Sequence, residues 1–126
     1  MLTYLAVGIG GAAGSCLRYA ITMCFSLATF PYGTLLSNTL AGGLIGFILE
    51  FDRHCGFFSP NMRLLLTTGL MGGLSTFSTF SVETLTFFQA GKIGTGLWNI
   101  LLNLVLSFGG VLLGVLLVRL FFTKAV

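Results

Sequence analysis

The residues of this chain best suited to chemistry lie within residues 69–83, GLMGGLSTFSTFSVE. Adjacent glycines, Gly72 and Gly73, are followed by the hydroxyls of Ser75, Thr76, Ser78, Thr79 and Ser81, with Phe77 and Phe80 among them and Thr84 just beyond. Hydroxyls and freed backbone carbonyls hold bare ions; they do not by themselves break bonds. Two glycines followed by Ser and Thr weaken a helix, and in lipid a carbonyl without its helical partner must find neighbouring protein or a bound ion. The run therefore predicts a helix interrupted at bilayer depth, with plain helix packing as the competing explanation.

Other polar residues fall at helical spacing. Thr34, Asn38, Gly42 and Gly46 recur every four residues and share one face. Asn38 is costly in lipid; it either bonds a neighbouring helix or offers its amide hydrogens to a passing anion. Thr95, Asn99, Asn103 and Ser107 form a second such stripe, which serves as interhelical glue or as a track for an ion. Arg18 stands between apolar stretches, either snorkelling to an interface or holding carbonyls and attracting an anion. Glu83 follows the Phe pair, near an interface. Enzymatic chemistry is not expected. No nucleophile sits beside a base, His54 has no ligand partners at metal spacing, and Cys16, Cys24 and Cys55 form neither a CxxC motif nor an even set.

The elements that must position these residues follow from composition. The chain has 126 residues, 56% hydrophobic and 7% charged, with a mean hydropathy of +1.03, far from the roughly 25% charge of soluble domains. It reads as one all-α membrane domain over residues 1–126, with transmembrane helices at residues 2–25, 33–51, 63–88 and 95–122. The third is interrupted at residues 72–76. A turn at 26–32 and an exposed loop at 52–62 join them. Continuous apolar runs argue against a β-barrel, and the N-terminus lacks the features of a removable signal peptide. GIGGAAG follows no strand, so it is a packing surface and not a dinucleotide loop. Gly10 and Gly14, Gly42 and Gly46, Gly69 and Gly73, and Gly110 and Gly114 make four GxxxG pairs, which predict a compact bundle and self-association.

The net charge is +3, with no sequence cluster of the kind nucleic acid or anionic lipid needs. Four spans put Arg53, Arg63, Arg119 and Lys124 on one side, against Lys92 and Arg18 on the other. That is a weak orientation bias, compatible with insertion both ways. Two oppositely oriented copies would share a two-fold axis in the membrane plane and bring both helix interruptions together at mid-bilayer.

GGAAGSCLRY (residues 10–19), GTLLSNTLAG (33–42) and above all GLSTFSTFSVE (73–83) resemble the small four-helix fluoride channels of the Fluc or CrcB family, over essentially the whole chain. The resemblance implies an antiparallel, dual-topology homodimer in the plasma membrane with two pores that passively export fluoride. It implies a structural Na+ at the dimer centre, held by backbone carbonyls that map to Gly72 and Ser75 of each subunit; the family commonly has Thr at the position of Ser75. Phe77 and Phe80 would turn ring edges to fluoride, with Asn38 as amide donor, Thr79 beside them, and Asn99, Asn103 and Ser107 as a polar track. Arg18 and Glu83 match the family's helix 1 arginine and its acid after the Phe pair. A small dual-topology multidrug exporter is the principal rival, but it needs an acidic residue in the first helix, and this chain has none there. A purely structural membrane protein is the other; it predicts no ion flux.

Overall fold

Residues 1–123 are described by the structure, a computed structural model. Among the described residues, three helices are long and apolar enough to cross a membrane: α1 (Leu2–Cys24), α2 (Tyr32–Cys55) and, through Phe122, α6 (Ile93–Thr123). The segment expected as the third span is built from pieces. Ser59 caps α3 (Pro60–Leu64), accepting from the Met62 N–H at 3.3 Å, with Pro60 in the first turn where its missing N–H costs nothing. A π-helical segment follows (Leu65–Met71), then one turn, α4 (Gly72–Leu74). Ser75 and Thr76 are extended, and α5 (Phe77–Gln89) begins under a Thr76 side-chain cap.

The bundle is held by two glycine-lined contacts. A Cβ on Gly10 would strike the Leu65 carbonyl, and one on Gly14 the Leu70 carbonyl; Gly69 and Gly73 likewise lie against the Val7 and Gly11 carbonyls of α1. Gly42 and Gly46 of α2 meet the Ser107 and Val111 carbonyls of α6, while Gly110 and Gly114 meet those of Thr39 and Gly43. All four GxxxG pairs are thus occupied within one chain, so they are not the surface on which two copies would meet. This corrects the expectation that they drive self-association.

The first contact also accounts for the π-helix, which the sequence pattern did not predict. Gly10 and Gly14 are four residues apart, but the carbonyls they meet, on Leu65 and Leu70, are five apart. A π turn, with its i to i+5 hydrogen bonds, brings residues at that spacing into line with an ordinary α turn.

Four boundaries differ from expectation by two residues or more, the first being α3, which starts at Pro60 and not at residue 63. α2 continues to Cys55, where Gly56 at φ 58° ends it, so Asp52, Arg53 and His54 are helical and not loop. The extended interruption is confined to Ser75 and Thr76, leaving Gly72 and Gly73 helical. α6 begins two residues earlier than expected, at Ile93. Lys124, one of the expected interface charges, lies outside the described residues. The buried apolar core among the described residues is small: a cluster of Ala41, Met71 and Leu74, flanked by Ile21, Ile45 and Leu70, with Leu35, Phe80 and Val118 buried elsewhere. Most large apolar side chains face outward, as a chain solvated by lipid requires.

Candidate functional site

The interruption before α5 is stabilised from α2. With no helical neighbour, the Thr76 N–H donates to Asn38 Oδ1 at 2.7 Å, and the Asn38 amide nitrogen donates back to the Thr76 carbonyl at 3.3 Å. One side chain thus satisfies both backbone groups of an extended residue. This contact fixes the amide orientation, because a backbone N–H can only donate. The remaining hydrogen on Asn38 Nδ2 then goes to Asn103 Oδ1 at 2.9 Å. Asn103 Nδ2 donates to the Asn99 side-chain and backbone oxygens, both at 3.0 Å. Asn99 Nδ2 donates to the Thr84 hydroxyl at 2.9 Å, which donates to the Phe80 carbonyl at 2.8 Å. A directional chain of neutral donors therefore runs from the interruption into α6 and back to α5.

The same diversion frees carbonyls. In a continuous helix the Thr76 N–H would serve the Gly72 carbonyl, and the Thr79 N–H that of Ser75. Instead Thr76 N–H is given to Asn38, and Thr79 N–H to the Thr76 hydroxyl at 3.2 Å. Gly72 and Ser75 are left with carbonyls that have lost their helical donors. Such oxygens suit a hard cation. The neighbouring Gly73 carbonyl accepts from Arg18 Nε at 3.1 Å, which places the helix 1 cation at the C-terminal end of α4.

A cavity of about 380 Å³, open on one side, gathers most of the residues picked out from sequence. Asn38, Phe77, Phe80, Asn103 and Ser107 line it, with Gly72, Ser75 and Thr76, and no ionisable side chain is among its lining residues. The Phe77 and Phe80 rings lie 5.4 Å apart at 60°, yet Phe77 is 76% exposed and Phe80 only 7%. Four expected residues stand away from the cavity lining, Arg18 on the Gly73 carbonyl being the first. Asn99 is fully buried behind Asn103, and Thr79 lends its N–H to the α5 cap. Glu83 lies further along α5, taking the Thr34 hydroxyl on Oε1 at 2.6 Å; its Oε2 is buried without a hydrogen-bond partner among the described residues. Thr76 and Thr84 belong to the amide network, while Thr34 bonds Glu83 apart from it; the sequence pattern assigns none of the three to the pore. For Thr34 a signal was present, since it shares the four-residue register of Asn38.

Fold and site together define a multi-pass helical membrane protein with an uncharged, amide- and ring-lined cavity at the end of an interrupted helix. Residues 5–115 match the family described as CrcB-like protein, Camphor Resistance (CrcB), and the chain belongs to that family. A Clostridium perfringens protein named fluoride-specific ion channel FluC is 48% identical over 125 residues, covering 97% of this chain and 98% of the relative. Proteins of the same name from Clostridium novyi and Rhizobium meliloti are 44% and 41% identical, covering 90% and 91% of this chain and 91% and 94% of their own. These relatives are ion channels, not enzymes.

Proposed function

We propose that this protein is a passive fluoride channel that lowers cytoplasmic fluoride, with the cavity beside Asn38 as part of its path. The observation that carries this reading is a lining with donors and aromatic rings but no ionised side chain. Fluoride is strongly hydrated, so a conducting site must replace water without holding the ion fast; a buried arginine would trap it. Weak donors in series meet that demand. Ser107, Asn103 and Asn38 present a hydroxyl and amides, and the rims of Phe77 and Phe80 carry the positive part of the ring quadrupole. The 3.3 Å bond from Asn38 to the Thr76 carbonyl is the longest in the chain of donors, and its hydrogen is the one an anion would take.

Two copies in opposite orientations would close the open side of each cavity and supply the exposed Phe77 ring with neighbours, giving two pores. The same pairing would bring the Gly72 and Ser75 carbonyls of both copies together around Na+, which would supply a fixed charge that locks the pair. Arg18, on the Gly73 carbonyl, would hold the turn that presents them. Glu83 would then act midway along α5, with Thr34 setting its orientation.

The test is fluoride efflux from liposomes containing the purified full-length protein, with chloride as control. Fluoride should leave rapidly and chloride should not. Correctly folded protein that passes neither ion, or both equally, would reject the proposal.

A further inference from the structure

We propose that the end of the molecule where α2 and α6 terminate binds the phosphate groups of anionic phospholipids. The inference needs only the membrane setting and stands apart from the fluoride reading. Three arginines and two acids meet there, a formal balance of three minus two, or +1. The fold separates the signs. Glu50 lies beneath Arg119 (2.7 Å to Nε) and Arg53 (3.3 Å to Nη1), and Asp52 beneath Arg63 (3.8 Å to Nη1). Both carboxylates are tucked inward, their side chains 6% and 11% exposed, while Arg53, Arg63 and Arg119 are 72%, 56% and 54% exposed. What faces the surroundings is therefore cationic.

Its position and its apolar surroundings select a lipid as the source of the phosphate. A helix of 24 residues such as α2 is about 36 Å long, against an apolar bilayer core of about 30 Å, so its last turns stand among the headgroups. A hollow bounded by Glu50, Arg53, His54, Arg119 and Phe122 lies between the helix ends, with the His54 ring stacked on Phe122 at 4.8 Å. Phe57 packs edge-on to Phe58 and remains largely exposed, the usual setting of an aromatic ring at the edge of a membrane. Guanidiniums for the phosphate and rings for the glycerol and upper chains fit a phospholipid better than free phosphate. Residues 53, 63 and 119 are scattered in sequence, which is why no basic cluster was visible there.

Native mass spectrometry of the full-length protein in detergent, offered equal phosphatidylglycerol and phosphatidylcholine, tests this. The wild type should retain phosphatidylglycerol preferentially. The Arg53→Gln/Arg63→Gln double variant, which leaves Glu50 paired to Arg119, should lose that preference by on the order of fivefold per arginine, the equivalent of about 1 kcal/mol per cation at an anionic surface. Arg53→Lys/Arg63→Lys should keep most of it, and matching elution profiles exclude misfolding as the cause. Equal retention of the two lipids, a preference that survives in the Gln variant, or displacement of bound lipid by millimolar inorganic phosphate would overturn the proposal.

Discussion

The contact between α2 and α6 ends in two polar pairs of opposite character. At one end the neutral amides of Asn38 and Asn103 meet at 2.9 Å beside the cavity; at the other, Glu50 and Arg119 meet at 2.7 Å, and glycine-lined backbone fills the space between. The amide end is directional and uncharged, so each hydrogen bond it makes costs little to exchange for one to an ion. The charged end binds its partners strongly and is kept away from the cavity. A strong charge suits anchoring at an interface, whereas a series of weak donors suits passage, and the fold keeps the two apart.

The largest effect that would break this comparison is expected at the amide end. Asn38→Asp removes both donor hydrogens and sets a carboxylate against the Asn103 and Thr76 oxygens. Fluoride flux in liposomes should fall on the order of a hundredfold through lost donors and charge repulsion. Near-normal flux would place the path elsewhere.

Phe80→Ile comes next. It keeps an apolar side chain at a buried position but removes the ring rim, and flux should slow by about tenfold or more if the quadrupole contributes as argued. Undiminished flux from protein with a wild-type elution profile would sink the ring-edge explanation.

The smallest effect on flux belongs to the charged end. Arg119→Gln weakens the hold on buried Glu50, with Arg53 still beside it, and should lower stability in detergent by roughly 1–3 kcal/mol. Adding Glu50→Gln should recover part of that loss. Flux per folded protein should stay the same in both variants, read by thermal unfolding alongside the fluoride assay; a fall in flux with the fold intact would show that the two ends are not separate.

Much of this arrangement was legible in the sequence, because membrane burial imposes strong patterns. Long apolar runs marked the helices, small residues at four-residue spacing marked the close contacts, and the stripe of Asn99, Asn103 and Ser107 lay on one face of α6. The π-helix was not legible, since it answers the spacing of carbonyls opposite Gly10 and Gly14 and no local residue preference calls for it. Nor was the pairing of Glu50 with Arg119, 69 positions apart, or the extent to which Asn38 spends its hydrogens on Thr76 and Asn103. Local spacing reports which face a residue shares, and only the assembled bundle reports what that face meets.

The account rests on an anion taking a hydrogen from the Asn38 amide, and side-chain amide NMR of selectively labelled protein in lipid tests that most directly. Fluoride should shift the Asn38 Nδ2 resonances in a saturable way, and chloride at the same concentration should leave them in place. Resonances that ignore fluoride while the same preparation conducts it, or that move equally with chloride, would contradict the account.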